Sequence, residues 1–193
     1  MASGTTSFLL SVWGTGTGDV WIVGDKGLIL HWNGASLTTV ASGTTQQLSG
    51  VGGSSANNVW AVGLSGTIVR WNGSTWSAVP SGVANNLWKV WARSDNDAWA
   101  VGTVGTILHF DGTAWSSKAS GTTGYLYGIW GSAADDVWAV GDSGGAQPTV
   151  VHYDGTAWSA SKPPTIFQLW SVWGSSKNDV WTVGNYGVIL NRR

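Results

Sequence analysis

Cysteine is missing from this chain of 193 residues, and so is glutamate. Without cysteine there is neither a disulfide framework nor a thiolate metal site. Without glutamate, any pair of catalytic carboxylates must come from the 10 aspartates. Charge is scarce as well: 10% of residues are charged and the net charge is −1. That balance predicts no electrostatic draw towards nucleic acid or an anionic membrane surface. No apolar run approaches the roughly 20 residues of a membrane helix, so no membrane insertion is expected. The opening "MASGTTSFLL" has no basic start and too short an apolar run for a signal peptide. If the parent protein is exported, as a cell-surface or extracellular protein would be, its leader lies outside this chain. Helical periodicity is absent, proline occurs only 4 times, and no linker divides the sequence. Residues 1–193 therefore read as a single domain.

What is abundant is glycine, at 29 residues, and tryptophan, at 16. They fall in a repeat. The tryptophan of a "VW·VG" motif recurs at Trp21, Trp60, Trp99, Trp138 and Trp181, at intervals of 39, 39, 39 and 43 residues. The longer last interval has a local cause, four extra residues in "GDSGGAQPTVVHYDG". Each copy reads as up to four short strands, typified by "LWKVWA", "VWAVG", "GTILHF" and "TAWSSK". Alternating β-branched and aromatic residues, punctuated by Gly, Asn and Asp, are the strand-and-turn signature. "NG" and "DG" after the third strand predict tight hairpins. Four-stranded units of about 40 residues are the sequence pattern of a β-propeller. The expected fold is all-β, a five-bladed β-propeller of about 39-residue repeats. An open arc of a larger ring is the competing arrangement.

"SSKNDVW·VG", "GTILHF" and "DGTAW" resemble the Trp-rich propeller repeats of large bacterial surface or secreted proteins. The "NG·TW" corner is similar to the Asp-box corner of sialidase-type propellers, one residue short. The count of five is similar to the tachylectin type of five-bladed lectin. The resemblance covers the whole chain and implies a propeller; it implies little about activity, because propellers host unrelated functions.

A fourth strand follows copies one to four only, and copy five ends at "ILNRR". The last blade is therefore expected to lack its outermost strand. "ASGTT" at 2–6 matches "ASGTT" at 41–45, the tail of a fourth strand. The chain reads as a fragment of a longer one, with self-association through the open edge of the last blade as one expected consequence.

Candidate sites are few. His31, His109 and His152 share one position on the third strand, on three different blades, where they cannot reach one ion at about 2.1 Å each. No metal site and no cofactor are expected. Asp19, Asp97, Asp136 and Asp179 precede the second strand, where short polar side chains cap turns. No two face each other as a glycosidase would need, and neither a nucleophile elbow nor a P-loop occurs. No catalytic residue is identified.

Fourteen of the 16 tryptophans occupy repeat positions and are expected to glue the blades. The other two, Trp88 and Trp170, share a variable position with Tyr127, just after the loop that leads into the first strand. Gln47, Asn86, Tyr125 and Gln168 lie in that loop. Aromatic planes beside amides suit a pyranose, the ring covering its apolar face and the amides bonding its hydroxyls. These seven residues form the candidate site of a lectin-like, carbohydrate-binding module whose partner is a glycan or small polar ligand. The alternative is a structural or protein-interaction repeat domain in which those rings pack between blades. A third reading is a hydrolase with an unrecognised site in the central channel.

Overall fold

The computed structural model describes residues 3–143 and 148–192. Five antiparallel sheets follow one another along the chain, at 9–40, 48–78, 87–118, 125–161 and 169–192. The first four have four strands each and the last has three, and within every sheet the strands lie in chain order. Residues from all five first strands line a common central cavity, so the sheets stand as blades around an axis. The protein is an all-β propeller whose fifth blade, among the described residues, lacks its outermost strand. Residues 144–147, within the longer fourth copy, lie outside the described residues.

The repeat's glycines have identifiable jobs. In each "VW·VG" motif the last residue lies at or next to the end of the second strand, beside a backbone carbonyl at or just before the start of the first strand. At Gly24, Gly63, Gly102, Gly141 and Gly184 a Cβ would sit inside the carbonyl oxygens of Phe8, Gln47, Asn86, Tyr125 and Gln168. That close approach lets the next backbone N–H bond the same oxygen, as Leu64 N–H does to Gln47 at 3.1 Å. The turn after the third strand is a four-residue loop rather than the tight hairpin expected. Asn33 Oδ1 accepts from the N–H groups of Ala35 and Ser36 at 3.0 and 2.9 Å. Asn72, Asp111 and Asp154 repeat the device.

Between the second and third strands the loop takes two successive left-handed residues, a glycine (Gly27, Gly66, Gly105 or Gly187) preceded by a residue with a side chain. Lys26, Ser65, Val104 and Tyr186 fill the first place, with φ of 54–56°. For the β-branched Val104 this conformation is strained, by about 1–2 kcal/mol. Its side chain is exposed, so little burial compensates. Val104→Asn is expected to raise stability by about 1 kcal/mol, since Asn tolerates this region, and urea unfolding would measure it. No gain would mean that the Val104 loop is unstrained.

Each of the three middle blades buries one face against the blade before it and the other against the blade after. In the cluster between the first two blades, Trp21, Val23 and Ile29 meet Leu48, Val51, Val59, Ala61 and Val69. The other three interfaces use the same repeat positions. A knob-and-hole code runs through them. The rings of Trp13, Trp91 and Trp130 press on Gly53, Gly131 and Gly174 of the next blade, where a Cβ would stand 2.5–2.7 Å from the indole. The second blade has Gly52 in place of the knob, and the third accordingly carries Ala92 in place of the hole.

Among the described residues, no core cluster joins the fifth blade to the first. Val12 is 62% exposed, whereas its counterpart Val51 is 2% exposed. Ile189 is 63% exposed and its counterpart Ile68 is 2% exposed. Trp173, expected to glue blades like its repeats, is 60% exposed for the same reason: no following blade covers it. Among the described residues, the first and fifth blades thus each leave an apolar face uncovered.

Candidate functional site

Trp88, Tyr127 and Trp170 come together, as their shared repeat position requires. They project from the third, fourth and fifth innermost strands into one central cavity of about 200 Å³, which Leu10, Ser11, Ser49 and Lys89 also line. Tyr127 and Trp170 pack ring on ring, centroids 4.6 Å apart. The Trp88 indole N–H is buried and has no hydrogen-bond partner among the described residues.

The polar candidates are drawn into the protein's own network. Gln168 Nε2 donates to Asp142 Oδ2 at 2.6 Å, and the Tyr127 hydroxyl donates to the same oxygen at 2.9 Å. Asn185 Nδ2 donates to Gln168 Oε1 at 2.9 Å, and Trp170 Nε1 donates to Asn185 Oδ1 at 2.7 Å. Burial and the neighbouring Asp142 carboxylate push the Tyr127 phenol well above its ordinary range. Asn86 Oδ1 accepts from the Ser65 N–H at 2.9 Å, and Gln47 Nε2 donates to Ser49 Oγ at 3.2 Å. Tyr125 is partly exposed, its ring 6.3 Å from Tyr127.

Asp142, Asn185 and Lys89 were not singled out from the sequence. Asp142 and Asn185 occupy the variable position that follows the "VG" of the second strand, directly across from the first-strand approach. A variable residue beside another variable residue was the available signal. Lys89 stands on an innermost strand, and burial lowers its pKa from the usual lysine value. Its Nζ lies 3.4 Å from Ser11 Oγ of the first blade.

The histidines and aspartates stay within their own blades. The Nε2 atoms of His31, His109 and His152 lie 2.8 Å from Asp19, Asp97 and Asp136. His31, His109 and His152 stack on Trp21, Trp99 and Trp138 at 4.0–4.1 Å. Among the described residues no group of His and Asp is placed to hold a metal ion. The aspartates were expected to cap turns, but they tie strands together through side-chain donors. Asp19 takes Thr15, and Asp97 takes Arg93, in addition to the histidines.

These carboxylates make an acid-labile element. Burial opposes the charge of Asp136, but hydrogen bonds from Ser132, His152 and Trp138 outweigh it and hold the carboxyl below the usual range. For Asp97 burial is likewise outweighed, by His109 and Arg93. A depressed carboxyl contributes stability above its unfolded pKa of about 3.9 and loses it as pH falls through the folded value. The melting temperature is therefore expected to drop as pH falls from about 4 towards 2. Asp136→Asn should flatten part of that slope in calorimetry. An unchanged slope would remove Asp136 from the account.

The fold has solved counterparts. A structure of YCF48 from Cyanidioschyzon merolae is similar with a TM-score of 0.72 at 16% identity, over 97% of this chain and 67% of that one. A structure titled YCF48 bound to D1 peptide is similar with a TM-score of 0.53 at 15% identity, over 98% and 78%. The β-propeller domain of Cps50 (Swd1) from Myceliophteria thermophila gives 0.69 at 8% identity, over 90% and 61%. At these identities the likeness is one of fold. No protein-family model matches the chain, and no curated sequence is similar to it.

Proposed function

We propose that this chain is a protein-interaction module. The observation that carries the reading is the pair of uncovered end faces. Val12 and Leu9 on the first blade, and Trp173, Val183 and Ile189 on the fifth, are exposed members of repeat positions that elsewhere form blade-to-blade cores. Large apolar side chains exposed on a blade face are the ordinary mark of a protein-binding site. A propeller of similar fold bound to a peptide is consistent with it. The hydrolase reading draws no support from Asp19, Asp97 and Asp136, each of which is engaged by a histidine of its own blade.

A sugar at the central cavity is the second reading, favoured by the partly exposed Trp170 ring. It has less support. The cavity is about 200 Å³, below the roughly 300 Å³ at which ligand pockets begin. The amides and hydroxyl nearest the rings already bond one another. The test pairs two experiments. Proteins retained by the native chain from extracts of its source should be lost with the Val12→Lys, Val183→Lys double variant, whose far-UV spectrum should stay native. A glycan array should give no signal. Saturable glycan binding that disappears in Trp170→Ala would replace the interaction reading with the sugar one.

A further inference from the structure

The fifth blade contains a ready-made slot for a β-strand carrying an aromatic side chain. In the second, third and fourth blades the outermost strand begins with Trp76, Trp115 or Trp158, each buried. Each meets the second-strand tryptophan of the preceding blade edge-on, at 5.2, 5.1 and 5.4 Å. Each also packs beside the last residue of its own third strand, Trp71, Phe110 or Tyr153.

In the fifth blade the same surroundings enclose a cavity of about 320 Å³. Trp138, Val140 and Val150 of the fourth blade form one wall, and Val180, Leu190 and Arg192 of the fifth form the other. These are the repeat counterparts of Trp21, Val23, Ile29, Val59, Val69 and Trp71, the residues that surround Trp76. Trp138 is accordingly less buried than Trp21, Trp60 and Trp99, and the Arg192 guanidinium lies over its ring at 4.8 Å. Beside the cavity, the third strand Ile189–Arg192 has no outer neighbour in its sheet among the described residues.

We infer that this slot binds an extended segment of another protein by strand addition, its tryptophan entering the cavity opposite Arg192. The inference rests on the interaction reading and assigns it a second site, which shares Ile189 with the fifth-blade end face. The occupant's chemistry follows from the three occupants that the fold displays. Trp76, Trp115 and Trp158 are each paired opposite the third-strand residue that corresponds to Arg192. Serine follows the tryptophan in all three, and exposed residues continue the strand. Main-chain bonds supply affinity and the aromatic pocket supplies selectivity, as in other strand-addition sites. A second copy of the chain is a poor donor, because all three of these strands are already paired in their own sheets.

The test uses a fluorescein-labelled peptide with the sequence of residues 111–120, DGTAWSSKAS, titrated with the native chain and read by anisotropy. Saturable binding is expected. Replacing the peptide's tryptophan by alanine should weaken binding at least tenfold, and N-methylating its backbone should do the same. Ser161, on the outermost strand of the fourth blade, also lines the cavity, and Ser161→Trp should block the native peptide while leaving the far-UV spectrum unchanged. No saturable binding, or equal binding of the alanine peptide, overturns the inference. If that happens while end-face-dependent partners are still captured, the slot falls and the interaction reading stands. Should the capture fail and the peptide bind as described, the slot stands and the end faces fall.

Discussion

Gly63→Ala should lower stability by at least about 3 kcal/mol, near the upper end of overpacking costs. For a domain of this size that corresponds to a fall of roughly 6–12 °C in melting temperature. The added methyl would lie inside the carbonyl oxygen of Gln47, with Gln47 C and Leu48 Cα also too close. Backbone cannot swing aside as a side chain can. Relief requires parting the approach to the first strand from the end of the second. That parting breaks the Leu64 N–H bond to Gln47 at 3.1 Å and shifts the fully buried Leu48. Gly16→Ala is the matched control: a Cβ there meets nothing within 4 Å. It should be neutral within about 0.5 kcal/mol, as exposed substitutions usually are. Thermal unfolding of the two variants decides the matter. If both behave alike, the repeated glycine has some reason other than this contact.

The same glycine shows why the architecture was legible in the sequence. "VW·VG" recurs because three constraints coincide in five residues: a ring for the neighbouring blade, β-branched residues on both faces, and a position with no room for Cβ. A period of 39 residues in such a motif leaves few alternatives to stacked small sheets. What periodicity does not convey is closure. Leu9 and Leu48 are the same residue in the same motif, yet one is 41% exposed and the other fully buried. The difference lies in which blade stands next to each, and a repeat unit does not encode that. For the same reason Trp173 was grouped with the interface tryptophans and turned out exposed.

The candidate site was half legible. Positions that break the repeat converge, so Trp88, Tyr127 and Trp170 were found together. Their polar neighbours were misjudged in a specific way. An amide beside an aromatic looks available to a ligand in the sequence, whereas Gln168 is occupied by Asp142 and Asn185, which lie 26 and 17 residues away along the chain. Such cross-loop partners carry no local sequence mark. Nor did the aromatic slot in the fifth blade appear in the sequence except as a missing strand. Its definition needed the walls, and those come from two adjacent blades.

Trp60→Ala should be the most damaging side-chain truncation, costing about 3–5 kcal/mol. Trp60 is fully buried between the second and third blades, against Phe110 at 4.8 Å and Trp115 at 5.1 Å. Arg70 also lies over its ring at 4.8 Å. Removing the indole therefore empties the middle of an interface and uncovers a guanidinium stacked on it. Repeat folds owe much of their stability to nearest-neighbour interfaces, so this loss falls where the arc is joined two blades to three. The end of the arc provides the contrast. Ile68→Ala, in the same interface as Trp60, should cost about 2–5 kcal/mol as a buried truncation. Ile189→Ala, at the identical repeat position but uncovered, should stay within about 0.5 kcal/mol. Urea unfolding at low and high protein concentration reads all three. An Ile189→Ala cost that approaches the Ile68→Ala cost and grows with concentration would show that another molecule covers the fifth blade in solution. An equal cost at every concentration would instead mean that the first blade closes onto the fifth, and that the arc is a ring.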